Sequence, residues 1–260
     1  MDPVAQNALA AQFRALHNPK DTLILGNVFD ATTASIIASL PTSKAVATAS
    51  FAIAATQGID DDDMTMDQNF NMLKNIAKVV VPTGKPLTAD LQDGYEDVKA
   101  TIQQAIALGI VGCNLEDVDS KARTLRSLDD AVARIKLALQ AAEQVQVPQF
   151  AINARTDVLA HGGTIEEAIE RGQAYLNAGA NTVFVWGGPK GRGVSREEVE
   201  KLVVAFDGRL NVIKRFGEGF LSVSELKTIG VARISVGPGL YRIAMNAYKE
   251  AAENLLSAGI

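Results

Sequence analysis

Apolar and polar residues fall along this chain in blocks. Eight short apolar runs, Thr22–Val28, Ala45–Ala49, Pro86–Leu91, Val111–Glu116, Phe150–Asn153, Thr182–Trp186, Asn211–Lys214 and Ala232–Val236, are separated by polar loops and amphipathic stretches. Most are near-continuous Val, Ile, Leu and Ala, the pattern of parallel strands covered on both faces. Between them, Thr164-x-x-Glu167, Ser195-x-x-Glu198 and Ser222-x-x-Glu225 read as capping boxes that start helices, and Ser127-x-x-Asp130 as a weaker version. Helices are expected to stop at Gly109, Gly179 and Gly230, where glycine tolerates a left-handed backbone. Strand, loop, capped helix and glycine, eight times over, predict a (β/α)8 TIM barrel of the α/β class. A doubly wound open sheet is the runner-up, but no GxGxxG follows the first run. No Pro- or Ser-rich linker divides the chain, so one domain over residues 1–260 is expected. Residues 1–20 form its leading helix, and 240–257 a closing helix on its own barrel or a neighbour's.

Composition narrows the class. Of 260 residues 47% are hydrophobic, 21% charged and only 5% aromatic, so the core must be aliphatic. With 25 basic and 30 acidic residues the net charge is −5, which argues against nucleic acid as a partner. The lone cysteine, Cys113, excludes an intrachain disulfide and a CxxC metal site. The first twenty residues lack a secretory apolar core, and no apolar run reaches the ~18 residues of a membrane span. A cytoplasmic enzyme that meets neither membrane nor nucleic acid is the expectation.

In a barrel of this kind the reactive groups sit at the C-terminal strand ends and in the loops beyond them. That rule selects Asp30, Ser50 and Phe51, Asp61 in an acidic run, Asp90-Leu-Gln-Asp-Gly-Tyr95, Asn114-Leu-Glu-Asp117 and Asn153-Ala-Arg-Thr-Asp157. Asp90, Glu116 and Arg155 should converge from three adjacent strands. Two carboxylates without a His or Cys cluster favour a hard cation such as Mg2+ or Mn2+. An arginine beside it can grip a substrate carboxylate bidentately. Together they suit an enolate derived from a small oxo or hydroxy acid.

Bland readings compete. Asp30 is also placed to cap the following helix, and the run Asp60–Asp63 to be a solvated loop. His17 is expected at the surface and His161 in a loop. Gly217-Glu-Gly219 and Ser235-Val-Gly-Pro-Gly239 follow the last two runs, where many barrels bind phosphate.

Asn27-Val-Phe-Asp-Ala, Thr48–Gly58 with Asp61, Thr88-Ala-Asp-Leu-Gln-Asp-Gly-Tyr, Asn114-Leu-Glu-Asp and Ile152-Asn-Ala-Arg-Thr-Asp occur here in one order. In these motifs the chain resembles the phosphoenolpyruvate mutase/isocitrate lyase superfamily over nearly its whole length. The resemblance implies Mg2+-dependent making or breaking of C–C or P–C bonds beside an oxo or hydroxy acid. It implies metal binding by Asp90 and Glu116, partly through water, and a substrate-carboxylate contact by Arg155. It further implies oxyanion contacts near Ser50 and Phe51, a role for Asp61, and a relative of the mutase loop lysine in Lys121. Asp30 and Asn114, inside matching motifs, are candidate substrate contacts. Relatives assemble as dimers of dimers, so a homodimer or homotetramer is expected.

Two positions depart from the pattern. The second metal-side acid of the family is replaced by Gln92, and the loop Asp119–Arg126 lacks the catalytic cysteine of isocitrate and methylisocitrate lyases. The expected function is a Mg2+-dependent lyase cleaving a C–C bond in a small 2-hydroxy or 2-oxo carboxylic acid. Its rivals are a P–C mutase or hydrolase of the phosphonopyruvate type and a barrel that binds an oxo acid or a protein without turnover.

Overall fold

A computed structural model describes residues 1–188 and 193–258. Helix α1 (Pro3–Leu16) precedes β1 (Leu23–Ile24) and β2 (Asn27–Val28). Then α2 (Ala31–Ser39), β3 (Val46–Thr48), α3 (Ser50–Thr56), α4 (Met66–Val80), β4 (Leu87–Asp90), α5 (Val98–Ala107) and β5 (Gly112–Glu116) follow. A small antiparallel hairpin, β6 (Val118–Asp119) and β7 (Thr124–Leu125), leads into α6 (Leu128–Gln144). The second half runs β8 (Ala151–Thr156), α7 (Ile165–Asn177), β9 (Thr182–Val185), α8 (Arg196–Ala205), β10 (Leu210–Ile213), α9 (Val223–Ile229), β11 (Arg233–Ser235) and α10 (Gly239–Ser257).

The sheet order β1-β11-β10-β9-β8-β5-β4-β3-β2 is parallel throughout and begins and ends on one apolar run. Leu23 and Ile24 pair with β11, while Asn27 and Val28, three residues on, pair with β3. One run therefore closes the sheet on itself, and the architecture is the predicted (β/α)8 barrel. The expected helix signals are in place. Thr164, Ser195 and Ser222 cap their helices in reciprocal boxes, and Gly230 ends α9 at φ 96°.

One expectation changes. The runs looked covered by apolar groups on both faces, yet the side that lines the barrel is polar. Half-buried Asn114 receives bonds from Asn153 and Arg233, Thr182 bonds Asn153, and Asn211 bonds Ser235, the last five all buried strand residues. The outward positions between them, Cys113, Leu115, Ile152, Ala154 and Val183, pack in the aliphatic clusters under the helices. Strand side chains alternate in direction, so a polar residue at every second place makes a hydrogen-bonded axis inside an apolar shell.

At the bottom of the barrel α1 supplies the plug. Phe13 is fully buried, and a Cβ on Gly112 would stand 2.8 Å from its ring. His17 corrects the surface expectation: its ring packs edge-on against Phe13, and Nδ1 lies 2.8 Å from the Phe13 carbonyl oxygen. Burial pushes it down to about 3, so it is neutral at physiological pH. Helix α10 behaves differently from the others. None of its residues is buried, and Ile243, Tyr248, Leu255 and Leu256 are exposed. Tyr241, edge-on to Phe29, and Arg242, over the ring of Phe51, tie its first turn to the barrel mouth. Among the described residues, no helix is long and apolar enough to cross a membrane.

Candidate active site

Strands β4, β5 and β8 are neighbours, and Asp90 pairs with Asn114 while Glu116 pairs with Arg155 in the ladders. The predicted convergence therefore follows from register. Arg155 is the hub. Its Nη1 lies 2.8 Å from Glu116 Oε2, and its Nε and Nη2 donate to the two oxygens of Asp157 at 2.6 Å each. The Trp186 ring lies 4.2 Å from its guanidinium carbon, a cation–π contact that covers one face. Burial opposes the charge on Arg155, but Asp157 and Glu116 outweigh it and hold the proton more firmly than usual.

Asp157 is fixed in turn. The buried carboxylate of Asp117 accepts the Asp157 backbone N–H at 2.9 Å, Arg171 Nη1 at 3.0 Å and the Tyr175 hydroxyl at 2.6 Å. Asp117 and Asp157 thus aim the arginine from behind. The motif contained both acids, but their part as orienting groups emerges only when α7 brings Arg171 and Tyr175 beneath them.

Across the mouth, Asp90 Oδ2 accepts both the backbone N–H and the hydroxyl of Ser50 at 3.0 Å. The Ser50 N–H, a candidate oxyanion contact, is occupied by this carboxylate. Gln92 takes a left-handed backbone, φ 52°, which strains a non-glycine residue by ~1 kcal/mol or more. Bonds on both sides hold it there: its carbonyl accepts Glu116 N–H at 2.9 Å, and Nε2 donates to the Asp61 carbonyl at 2.7 Å and Oδ1 at 3.3 Å. Gln92 is therefore the link that draws Asp61 toward Asp90.

The acids crowd one another. Burial first and then Asp90 push Asp61 up to about 6, against the Ser50 hydroxyl and Arg155. Burial also lifts Glu116 well above the usual carboxylate range despite Arg155, with Asp157, Asp90 and Asp61 adding to the rise. Such mutual repulsion is what a cation would relieve. Among the described residues no group of three or more His, Cys, Asp or Glu side chains is arranged to hold a metal ion. Asp90 Oδ1, whose contact with Asn114 Nδ2 is 3.5 Å long, and the second oxygen of Glu116 remain for ligation. With the Gln92 side-chain oxygen, whose Nε2 faces Asp61, this is an all-oxygen set that leaves a shell to water, which fits Mg2+ better than a softer ion.

Other predicted residues stand apart. Lys121 lies on the exposed hairpin, where its ammonium pairs with the equally exposed Glu96. The hairpin is set by Arg126, whose Nη2 bridges Asp93 at 2.8 Å and Asp119 at 2.9 Å, and by Arg123 on Asp63 at 2.7 Å. Asp30 caps α2 with Thr33 in a reciprocal box. Phe51 is exposed beneath Arg242, and His161 is exposed in its loop. In the glycine segment before α10, the N–H groups of Val236 and Gly237 both donate to Asn27 Oδ1, at 2.9 and 3.0 Å. Those donors are already satisfied, which weakens the phosphate reading there. Sequence reasoning passed over Trp186 and Arg233; the only signal was a large or charged side chain at a strand position.

A barrel whose mouth carries this acid–arginine cluster points to one class, and comparison agrees. The family profile for phosphoenolpyruvate phosphomutase matches residues 13–256, and the chain belongs to the phosphoenolpyruvate mutase/isocitrate lyase superfamily. It is 29% identical over 234 residues to the 2,3-dimethylmalate lyase of Eubacterium barkeri, covering 85% of this chain and 77% of that protein. A solved structure from Burkholderia cenocepacia J2315, provisionally assigned as a phosphonomutase, is 34% identical with a TM-score of 0.85, covering 96% of this chain and 99% of that one. Oxaloacetate acetylhydrolase in complex with its product oxalate is 25% identical, with a TM-score of 0.84 over 98% of this chain and 89% of that one. The relatives are thus lyases, mutases and a hydrolase on one scaffold.

Proposed function

We propose that this protein is a Mg2+-dependent lyase that cleaves a C–C bond in a small 2-hydroxy or 2-oxo carboxylic acid. One observation carries the reading: Asp90, Glu116 and a fixed Arg155 stand at the ends of adjacent strands, and Gln92 ties Asp61, from the turn after α3, beside them. Asp90 and Glu116, with the Gln92 side-chain oxygen, would hold the ion. When bound, it supplies Lewis-acid stabilisation of the oxygen on which charge develops. Arg155, pre-aimed by Asp157, binds the substrate carboxylate. Asp61, at about 6, is matched to accept a hydroxyl proton near neutral pH, and Gln92 keeps it at hand. Arg155 then stabilises the enolate that cleavage leaves. The phosphoryl-transfer alternative needs a cation over the transferring group, and Lys121 is engaged elsewhere.

The protein is expected to act in the cytoplasm as a homodimer or homotetramer. The unburied apolar residues of α10 favour a second copy as their cover. A screen of oxo and hydroxy mono- and diacids together with phosphonopyruvate, with and without Mg2+, tests the activity. Turnover of an oxo or hydroxy acid that EDTA abolishes and Mg2+ or Mn2+ restores is expected. Full activity in exhaustively chelated protein would overturn the metal assignment, and turnover of phosphonopyruvate alone would overturn the lyase.

A further inference from the structure

The polar axis of the barrel holds one group that the mechanism above leaves unused. Arg233, on β11, is 1% exposed, and no carboxylate pairs with it among the described residues. Its Nη2 donates to Asn114 Oδ1 at 3.1 Å, while its Nε is buried without a partner. A guanidinium in that setting is costly, because burial strips its hydration and no ion pair replaces it. Barrels of this type usually fill such positions with branched aliphatic residues. Burial lowers Arg233 to about 10, and the first opposing influence is Asp90, so the arginine is charged at neutral pH and feels that acid across the axis.

Hydrogen-bond polarity shows what the charge accomplishes. Arginine has donors only, so the Asn114 carboxamide can face it only through oxygen. Asn153 Nδ2 donates to the same oxygen at 2.8 Å, and Asn153 is itself fixed by the Thr182 hydroxyl at 2.7 Å on its Oδ1. Two donors on Oδ1 forbid the flipped amide. The Asn114 Nδ2 group is thereby turned toward Asp90 Oδ1, 3.5 Å away. Ser50 already holds the other oxygen of Asp90, so its carboxylate is oriented from both sides.

We propose that Arg233 is a positioning residue, which fixes the Asn114 carboxamide from the barrel axis and through it sets Asp90 as an oriented ligand for a divalent cation. The proposal rests on the metal site of the proposed function, and its test separates the two. Full-length parent, Arg233→Lys, Arg233→Met and Asn114→Leu proteins are compared by two readouts. One is the side-chain amide signal of Asn114 in protein labelled with 15N-asparagine, identified by its loss in Asn114→Leu. The other is binding of Mn2+ alone, followed by electron paramagnetic resonance.

In Arg233→Met the Asn114 amide should shift and lose exchange protection, and the Kd for Mn2+ should rise at least tenfold. Arg233→Lys keeps a cationic donor and should return the Kd to within about threefold of the parent. Asn114→Leu should weaken Mn2+ as much as Arg233→Met does, and the double variant no further, because both cut one chain. An unmoved Asn114 amide in Arg233→Met overturns the proposal. So does an unchanged Mn2+ affinity, or equal impairment of the Lys and Met variants. Should Arg233→Met fail to fold, Asn114→Leu carries the test, and an unchanged Kd there is fatal. A parent that binds no Mn2+ defeats the metal reading instead, and the amide signal alone then decides whether Arg233 orients Asn114.

Discussion

The two sides of the barrel mouth are built on opposite terms. Beyond β3, β4, β5 and β8 the acids and Arg155 are half-buried or buried and cross-bonded, each aimed by a partner behind it. Beyond β10 and β11 the side chains are open. Phe216 and Phe220 are exposed, Arg215 is held by a 2.8 Å bond to the Gly188 carbonyl and by the Phe220 ring, and α10 rises without a buried residue. The closed side is held in place by its own side chains, as electrostatic catalysis requires. Predictions that break one side should cost activity and stability together, whereas changes on the other should alter assembly.

The largest effect belongs to Arg155. Arg155→Met removes the substrate-carboxylate contact and leaves Asp157 and Glu116 buried without their counter-charge. Activity should fall about 10³-fold, ~4 kcal/mol of transition-state stabilisation. Denaturant unfolding should show a stability loss of ~3–5 kcal/mol, as for other buried pairs that lose one member. Retained turnover in a folded variant would remove Arg155 from the chemistry.

Asp61 comes next, because its shift makes a signed pH prediction. Its carboxyl stands near 6 when folded and close to the ordinary 3.8 when unfolded. The folded state thus binds the proton more tightly, and its stability contribution is complete below about pH 4 and lost as pH rises through 6. In metal-free protein, Asp61→Asn should erase a fall of ~2–3 kcal/mol between those limits, read by urea unfolding at several pH values. If Asp61 is the base, kcat/KM should rise with pH through its titration, and this limb should vanish in the Asn variant.

Gln92 sharpens the same side. A Gln92→Glu change adds a charge near the ion but cannot donate to the Asp61 carbonyl. The Mg2+ concentration for half-maximal activity should fall several-fold, where tenfold corresponds to ~1.4 kcal/mol. The alkaline displacement of the Asp61 limb should increase at the same time. No change in either quantity would place Gln92 outside the site.

On the open side, Tyr248→Glu with Leu255→Glu should leave an isolated chain's stability within ~0.5 kcal/mol, since both side chains are exposed. In an assembly covered through α10 the same pair should lower the mass seen by light scattering. A parent that is monomeric at micromolar concentration would end the oligomer proposal. The smallest effect is reserved for Cys113→Ser. This thiol is fully buried on the outward side of β5, and burial pushes its proton affinity up. Activity should stay within a few-fold of the parent, and a 10³-fold loss with folding intact would mean that a thiol acts as acid or base.

Much of the closed side was readable along the chain. The apolar runs located all eight staves of the barrel, and the rule that strand ends carry chemistry brought Asp90, Glu116 and Arg155 together. Capping boxes at Thr164, Ser195 and Ser222 depend on contacts three residues apart, which is why they held. Lys121 was nominated by its resemblance to the loop lysine of the mutases, but loop residues follow the partners the fold offers, here Glu96. His17 looked like a surface residue because nothing in its neighbourhood along the chain announces that α1 plugs the barrel with Phe13 beside it.

Periodicity, capping and composition act over a few residues, so the sequence by itself determined the repeating strand–helix unit, the aliphatic shell and which strand ends bear acids. Only the closed sheet decided that one run would pair at both edges and that the inward positions would join Asn114, Asn153 and Arg233 into a polar axis. Only it turned Ser50 and Gln92 onto Asp90 and Asp61. The hydrogen bonds among these contacts link residues 31 to 119 positions apart along the chain, beyond the reach of any local pattern. Their distances and proton affinities are properties of burial, and burial exists only once the barrel has closed.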